Sequence, residues 1–250
     1  WSSDVCSSDL QQQRADQRGI PTHTAFLSPA EQAMSADLLM AAAPGQGVLH
    51  GGYADAERKL WGFLPDWLDE DLWLAGEDCP LAALEVKTPK GAKLTHRDYL
   101  GSLMGLGITR EKIGDILIGE TGAQVIVLRE TLPILLAQWE KAGRYPVTLT
   151  PLPLDQLTPT PGETKEVRAT VASVRLDAVV SAGFSIPRSR AADLIRGGRV
   201  MVNHRPCEKA DKVVEAGDVL TCRGLGKCVL TEIGGTSKRG RTILTIQRYL

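Results

Sequence analysis

Several features that identify common classes of protein are missing from this sequence of 250 residues. The five cysteines contain no Cys-x-x-Cys pair, and their odd number argues against a disulfide framework. The four histidines have no metal-ligand spacing with those cysteines. No apolar run approaches the roughly 18 residues that are needed to span a bilayer. We therefore predict free thiols in a reducing cytoplasm, no metal, no other cofactor and no membrane partner.

The beginning of the chain also lacks the signals of secretion and of regular structure. Its first 19 residues, WSSDVCSSDLQQQRADQRG, have neither a basic start nor an apolar core, so they do not form a secretory signal. The first ten residues show neither a helical nor a strand period. We predict that residues 1–20 are a disordered or non-native leader.

Residues 21–79 are predicted to form a mostly helical N-terminal module. Ser28, followed three residues later by Glu31, has the signature of a capping box and predicts the beginning of a helix. A later segment contains Leu60 and Trp61 in an apolar stripe. We interpret this module as a small helical body with its tryptophans in the core.

Residues 80–154 are predicted to alternate in the order strand, helix, strand, strand, helix, strand. That order is typical of a ferredoxin-like split βαβ unit. RNA-recognition modules share this order and stack bases on aromatic side chains of two central strands. Here those strands, GDILIG and AQVIVL, contain no aromatic residue, so we expect no base stacking on this sheet. A Pro- and Thr-rich stretch then makes residues 155–172 a linker or connecting strand.

The two parts of the chain carry opposite net charges. Residues 1–164 contain 13 Lys and Arg against 22 Asp and Glu, whereas residues 165–250 contain 16 against 8. The first part therefore has a net charge of −9 and the second a net charge of +8, which together give the formal charge of −1. A basic last third indicates a partner with the opposite sign, such as nucleic acid.

The basic part is predicted to contain two helices, a small sheet and a C-terminal basic hairpin over residues 173–250. Ser173 is in position to cap the first helix, VRLDAVVSAGF, and Pro187 opens the second, RSRAADLIR. Short strands follow across the Ala216-Gly217 turn. The last segment alternates apolar and polar residues after a turn that is rich in cations.

The arginines at the beginning of the second helix indicate contact with phosphate. Arg188 and Arg190 lie in its first turn, where the helix dipole disfavours a cation unless an anion is also bound. Free N–H groups flanked by guanidinium groups form a phosphate site. A solvated helical face explains any one of these arginines, but six arginines and no lysine lie between positions 174 and 206. We predict an RNA-binding surface made of Arg175, Arg188, Ser189, Arg190, Arg196, Arg199, Asn203, Lys209, Arg223, Lys227, Lys238, Arg239 and Arg241.

This basic part resembles an S4 domain, an RNA-binding module named after a small-subunit ribosomal protein. The resemblance is carried by RLD at 175–177, RSRA at 188–191, LIRGGRVMVN at 194–203 and EAGDVL at 215–220, which occur in this order over about 50 residues. Pro187 departs from the pattern, since the family often has Ser there.

The arrangement of the whole chain resembles the YlmH family of bacterial and plastid ribosome-associated proteins. The shared features are the segment GGYADAERKLWGFLP, the split βαβ middle and the C-terminal S4 domain with its glycine-rich basic hairpin. The resemblance implies an α+β fold and binding to rRNA and tRNA at the large ribosomal subunit. It also implies a role in the rescue of stalled translation. We expect a monomer that has no catalytic residues.

S4 domains also occur in enzymes that modify RNA, which leaves a second class open. A pseudouridine synthase takes its catalytic Asp from an Arg-Leu-Asp sequence, and this chain has one ending at Asp177. That residue lies in the first turn of a helix, where a carboxylate complements the dipole. GLGKC at 224–228 lacks the Ser or Thr of a P-loop, and LMGLGI at 103–108 follows a helix rather than the strand that a methyltransferase needs. The alternative is an enzyme whose active site lies in the middle domain.

Overall fold

The computed structural model describes residues 19–42, 47–159, 162–237 and 240–249. The predicted leader at 1–20 therefore lies outside the described residues except for its last two positions. The chain divides into two compact units, residues 1–160 and residues 161–250. In the part of the chain that is described, no helix is both long and apolar enough to cross a lipid bilayer. The four cysteines of these ranges are free and buried.

The N-terminal region of the first unit contains a small sheet as well as helices. Strands β1 (Thr22–His23), β2 (Gly47–His50) and β3 (Leu60–Phe63) pair antiparallel in the order β1-β3-β2. The helices are α1 (Pro29–Ala42) and α2 (Glu70–Ala75). The predicted capping box is present, because the backbone N–H of Ser28 donates to Glu31 Oε2 at 2.7 Å.

The three-stranded sheet corrects the expectation of an apolar helix at Leu60 and Trp61. These residues lie in β3, and the strand passes so close to Trp73 that a Cβ at Gly62 would lie 2.3 Å from its ring. Because a short apolar run fits a strand as well as a buried helix, its periodicity alone does not distinguish the two. The helices still contain more residues than the strands in this region.

The middle of the first unit has the predicted ferredoxin-like order. Its main elements are β4 (Leu81–Lys87), α3 (His96–Gly105), β5 (Ile113–Gly119), β6 (Gly122–Leu128), α4 (Leu132–Gln138) and β9 (Thr148–Leu152). The strands pair antiparallel in the order β5-β6-β4-β9. A short hairpin that the sequence did not predict, β7 (Lys141–Ala142) with β8 (Tyr145–Pro146), lies between α4 and β9.

The two faces of this four-stranded sheet are covered by different elements. One face packs Leu84, Val125 and Val127 against Tyr99 and Leu103 of α3 and Leu135 of α4. The other face shares a core with the N-terminal region, made of Phe26, Leu60, Trp73, Cys79, Leu81, Ile126 and Leu128. The predicted boundary at residues 79 and 80 therefore runs through one shared core. The N-terminal region packs on the sheet face that RNA-recognition modules use for bases.

The second unit places two helices on a six-stranded sheet. Its elements are β10 (Thr164–Val171), α5 (Leu176–Phe184), α6 (Arg188–Arg196), β11 (Val200–Val202), β12 (Arg205–Pro206), β13 (Val219–Cys222), β14 (Gly226–Thr236) and β15 (Thr242–Tyr249). The strand order is β10-β15-β14-β13-β11-β12. Helix α5 packs on β10, β14 and β15, and the core includes Val179, Leu220, Leu230, Leu244 and Ile246.

Two details of the second unit differ from the sequence interpretation. Of the 18 residues at 155–172 that were predicted to form a linker or connecting strand, eight form β10, the first strand of this sheet. All eight residues of β10 pair with β15. Ser173 does not cap α5, which begins at Leu176. Instead, the N–H groups of Leu176 and Asp177 donate to the carbonyls of Lys212 and Ala210, at 2.8 and 3.0 Å. Backbone carbonyls of the turn at residues 210–212 thus accept the first N–H groups of α5.

Candidate nucleic-acid interface

The beginning of α6 presents free backbone donors to solvent. Ser185 adopts a left-handed conformation with φ of 55°, and the N–H of Ile186 donates to the Ser181 carbonyl, which turns the chain sharply into α6. Pro187 precedes the helix without a side-chain cap, and the first helical bond runs from the Ala191 N–H to the Pro187 carbonyl. Among the described residues, no acceptor is found for the N–H groups at 188–190. This helix end therefore carries an uncompensated positive dipole.

Two of the predicted arginines, Arg175 and Arg188, form ion pairs with Asp177. Arg188 donates from Nε and Nη2 to the two Asp177 carboxylate oxygens, each at 3.0 Å, and Asp177 raises the pKa of Arg188. The Arg175 Nε lies 3.5 Å from Asp177 Oδ1. The Asp177 side chain is only 9% exposed, whereas that of Arg188 is 50% exposed. Asp177 lies in the first turn of α5, as the sequence predicted, and is in addition the centre of an ion-pair cluster.

A second set, the Arg190 group, consists of Arg190, Arg199 and Arg223. Arg199 Nη2 donates to the Arg223 carbonyl at 3.0 Å, and the Arg223 N–H donates to the Arg199 carbonyl at 2.9 Å. Burial raises the pKa of the Cys222 thiol, and Arg199 and Arg190 are close enough to oppose that shift. All three arginines are exposed. Within the described ranges, the Arg190 side chain has no hydrogen bond or ion pair, so its guanidinium is available to a ligand.

Two predicted residues are already bonded to other side chains of the protein, Asn203 and Arg196. Asn203, with φ of 49°, donates from Nδ2 to Asp218 Oδ1 at 2.7 Å and accepts the N–H of Val219 on Oδ1 at 2.9 Å. Both ends of its amide therefore hold the turn between β11 and β12 against the beginning of β13. Arg196 pairs with Asp193 at 3.0 Å on the exposed face of α6.

The remaining predicted residues are spread around the unit. Ser189 is exposed in the first turn of α6, and Lys209 is exposed in the turn that closes α5. Lys227 lies over the Tyr249 ring at 4.6 Å, and Arg241 donates to the Thr170 carbonyl at 2.9 Å. Lys227 and Arg241 are thus at opposite ends of the β14–β15 hairpin, roughly 20 Å apart at about 3.3 Å per residue. Lys238 and Arg239 lie outside the described residues.

Lys212 is a cation near the Asp177 cluster that the sequence interpretation missed. Its carbonyl accepts the Leu176 N–H, which places it beside the beginning of α5, and its side chain is exposed. Lys209 and Lys212 flank the same turn, since the Lys212 N–H donates to the Lys209 carbonyl at 3.2 Å. The sequence signal was present, because both lysines belong to the segment EKADK that precedes β13.

The first unit contains a groove of about 940 Å³ where an active site of the alternative class would be sought. Its lining is mainly Leu, Ala and Pro. Two of its polar groups are bonded within the protein, since His50 Nδ1 accepts the Gly52 N–H at 3.0 Å and Arg129 donates to the carbonyls of Cys79 and Leu81. The lining also includes the carboxylates of Asp55, Asp71 and Asp155. In the described part of the chain, no group of three or more His, Cys, Asp or Glu residues is arranged to hold a metal ion.

Comparison with known proteins assigns both units to RNA-binding classes. The family model for the S4 domain matches residues 174–220, and the model described as "Putative RNA-binding domain in YlmH" matches residues 75–156. The second unit is therefore an S4 domain extended by further strands on both sides. The predicted α+β fold with a C-terminal S4 domain is confirmed.

A curated relative establishes the family of the whole chain. It is the "Ribosome-associated protein quality control protein P2" of Bacillus subtilis (strain 168), which is 36% identical over 231 residues, or 90% of this chain and 86% of that protein. The chain belongs to the YlmH family, as its motifs predicted. A solved structure, "Cell division protein ylmH from Streptococcus pneumoniae", is 22% identical, covers 62% of this chain and 95% of that chain, and has a TM-score of 0.47.

Proposed function

We propose that this chain is a non-catalytic protein that binds rRNA and tRNA at the large ribosomal subunit and acts in the quality control of stalled translation. The name of the Bacillus subtilis relative and the two RNA-binding family matches support this proposal. The protein would then work as a monomer in the cytoplasm, where ribosomes and a reducing environment are found together.

The observation that carries the proposal is the beginning of α6 together with the Arg190 group. The N–H groups at residues 188–190 have no acceptor within the described ranges, and Arg190, Arg199 and Arg223 are exposed there without a carboxylate partner. Arg190 and Arg199 both lie near Cys222. A phosphate placed at the helix end gains the dipole and charge-assisted hydrogen bonds at the same time. Such contacts position RNA by its backbone and make affinity fall steeply with salt.

The acidic and basic parts would divide the work. The S4 unit, within the segment of charge +8, would supply electrostatic affinity for RNA. The net charge of −9 on the first 164 residues is repelled by bulk phosphate, so outside local clusters of cations these residues would contribute choice of site more than affinity. The Asp177 carboxylate has a structural use, because both of its oxygens are engaged by Arg188. This pairing and the low exposure of the side chain support a structural role for Asp177 more than the catalytic role that an Arg-Leu-Asp sequence has in pseudouridine synthases.

Arg190→Glu tests the proposed surface. The substitution removes a free guanidinium and adds repulsion, so affinity for rRNA purified from large subunits should fall on the order of 100-fold, or roughly 3 kcal/mol, at about 100 mM salt. Filter binding measures the affinity, and co-sedimentation with large subunits provides a second readout. The melting temperature should stay within a few degrees of wild type, because Arg190 is exposed and has no internal partner in the described residues.

Arg168→Glu is the matched control. Arg168 belongs to the same unit and undergoes the same change in charge, but it pairs with Glu166 on the sheet face away from the helices, opposite Thr245. It should change affinity by less than about threefold. Normal rRNA binding by a folded Arg190→Glu variant would show that the surface is misassigned. The appearance of pseudouridine or methyl marks in RNA incubated with wild-type protein would favour the enzyme class instead.

A further inference from the structure

Cations in the first unit are concentrated at one end of its sheet, although residues 1–164 have a net charge of −9. The segments 88–98 and 140–146 contain Lys90, Lys93, Arg97, Lys141 and Arg144. The same segments contain two carboxylates, Asp98 and Glu140. We call the five cations the lysine patch. The local excess of positive charge is opposite in sign to the part of the chain that contains it.

The fold brings these two distant segments together. Lys87, the last residue of β4, pairs with Thr148 at the beginning of β9, so the loop after β4 and the β7–β8 hairpin leave the sheet at the same end. The tip of the hairpin then packs on the loop and on the first turn of α3. A Cβ at Gly143 would lie 3.3 Å from the Leu94 side chain and 3.6 Å from Asp98 Oδ1. The five cations therefore belong to one continuous surface.

Four of these cations are not used inside the protein. Lys90, Lys93, Arg97 and Lys141 are exposed, and their side chains make no hydrogen bond or ion pair within the described ranges. Asp98, the carboxylate nearest to them in α3, accepts the N–H and the hydroxyl of Thr95, each at 2.7 Å, in a capping box. Asp98 thus forms no ion pair with these cations, and the five cations outnumber the two carboxylates of the same segments. Among the residues that the structure describes, these four cations make no hydrogen bond or ion pair that would stabilise the fold.

The hairpin adds a stacked arginine and an aromatic ring to this surface. The Arg144 guanidinium lies 5.1 Å from the centre of the Tyr145 ring, and its Nη2 donates to the Tyr145 hydroxyl at 3.0 Å. An arginine plane beside an aromatic ring is a common element of contacts with unpaired RNA bases, while lysines contact phosphates as mobile point charges.

We propose that the lysine patch is a second RNA-binding surface, which contacts the phosphate backbone independently of the S4 unit. The inference rests on the proposed function for the nature of the ligand. Stable protein partners bury a central cluster of apolar or aromatic side chains, whereas this patch offers cations around a single half-buried tyrosine. Backbone contacts with RNA need only exposed cations on flexible side chains. RNA fits these residues better than an acidic protein does.

Two RNA-binding surfaces on one chain would act together on a large RNA. Once one surface is bound, the other meets its RNA segment at a high effective concentration, and the combined affinity exceeds that of either surface. Each phosphate contact also adds about 0.7 to 0.9 to the slope of log affinity against log salt. The full chain should therefore have a steeper salt dependence than the S4 unit alone would produce.

The test compares two triple variants of the full chain that change the net charge by the same amount. The patch variant is Lys90→Gln, Lys93→Gln and Arg97→Gln. The control variant is Lys59→Gln, Lys87→Gln and Lys112→Gln, in which each lysine is already bonded, to the Ala54 carbonyl, Glu85 and Glu130 respectively. Each changes the formal net charge from −1 to −4. Affinity is measured by filter binding to rRNA purified from large subunits at several salt concentrations, after circular dichroism has shown that each variant is folded.

The patch variant should bind this rRNA about tenfold more weakly at about 100 mM salt, and its salt slope should fall by roughly two. The control variant should stay within about threefold of wild type with an unchanged slope. Equal losses in both variants would overturn the proposal, since they would show an effect of net charge alone. Undiminished rRNA binding by the patch variant would also overturn the proposal. If that variant had at the same time lost binding to poly-L-glutamate, the ligand of the patch would be an acidic polypeptide.

Failure of this proposal is distinguishable from failure of the proposed function. If the patch variant binds rRNA normally and Arg190→Glu does not, the S4 surface is supported and the lysine patch is contradicted as an RNA-binding surface. The reverse result removes the S4 surface and keeps the lysine patch.

Discussion

Arg58 in the first unit and Arg190 in the second show two different uses of arginine. In the first unit, Arg58, Arg110 and Arg129 donate to main-chain carbonyls and hold loops together. Arg58 alone donates to the carbonyls of Ile113, Phe26 and Arg110, and burial lowers its pKa. In the second unit, Arg190 and Arg199 are exposed at the beginning and just past the end of α6. Arg58, Arg110 and Arg129 are therefore structural donors, whereas Arg190 is a candidate ligand for phosphate.

This difference shows that a count of positive charges does not locate a nucleic-acid surface. What matters is whether each cation has an acceptor inside the protein. Arg188 and Arg190 are two residues apart, yet Arg188 is bound by Asp177 while Arg190 has no partner in the described residues. The same criterion identifies the lysine patch in the acidic part of the chain. Predictions that separate stability from RNA affinity therefore test the comparison directly.

The largest effect on stability is expected for Arg58→Ala. The substitution leaves three carbonyls without their charged donor in a half-buried loop, which should lower the free energy of unfolding by about 3 kcal/mol. Urea denaturation measures this loss. Affinity for rRNA should remain within twofold of wild type under conditions where the variant is folded, because Arg58 faces the interior.

Arg97→Ala is the control for this prediction in the same unit. Arg97 is exposed and has no partner within the described ranges, so its loss should change the free energy of unfolding by less than about 0.5 kcal/mol. The distinction between structural and free arginines fails if the two substitutions destabilise the protein equally.

Asp177→Asn should have the next largest effect, in the second unit. An amide cannot pair with both donors of Arg188, and it leaves two guanidinium groups without their counter-charge. Since Arg188 is half exposed and can be solvated, we expect a loss of about 2 kcal/mol, less than for a fully buried pair. Asp193→Asn, at the exposed pair with Arg196, should cost less than about 0.5 kcal/mol.

The RNA affinity of Asp177→Asn tests whether an arginine that is paired inside the protein can still contribute to RNA binding. Release of Arg188 from its carboxylate frees a cation beside the beginning of α6, so the folded variant should bind rRNA no more weakly than wild type. A large loss of rRNA affinity in a folded variant would mean that Asp177 orients the RNA-binding arginines rather than competing for them.

The sequence predicted those parts of the fold whose signals are local. Short apolar runs identified the seven-residue strands β4, β5 and β6, and Pro187 before the segment RSRAADLIR identified α6. It missed the N-terminal sheet because its strands contain two to four residues and pair across distant positions, such as Thr22 with Phe63. Strands this short have too few residues to show a period.

The candidate site was predictable in its residue types and not in its partners. Six arginines in one segment indicated phosphate contact, but the spacing of Asp177 and Arg188 does not show that they form a bidentate pair. Only the packing of α6 against α5 brings them together. The lysine patch was missed for the same reason, since Lys93 and Lys141 become neighbours only through the pairing of β4 with β9.

The smallest predicted effect is a dependence of stability on pH that arises at His50 in the first unit. Its Nδ1 accepts the Gly52 N–H at 3.0 Å, and burial lowers the pKa of His50 although Glu70 opposes the shift and Lys59 adds to it. The unfolded chain therefore takes up this proton at a higher pH than the folded chain does. The contribution to stability is complete above the ordinary pKa of about 6.5 and is lost as the pH falls through the lower folded value.

Urea denaturation between pH 7.5 and 5.5 should therefore show a smaller loss of stability for His50→Gln than for wild type, by less than about 1 kcal/mol. Glutamine can accept the Gly52 N–H and does not titrate, so it keeps the turn while removing the proton. His96→Gln should reduce this loss in the same direction, because burial and Arg110 also lower the pKa of His96. Hydrogen exchange would place the loosening at residues 50–53 and leave the S4 unit unchanged. Equal acid sensitivity of wild type and His50→Gln would show that this histidine does not link the pH to the stability of the first unit.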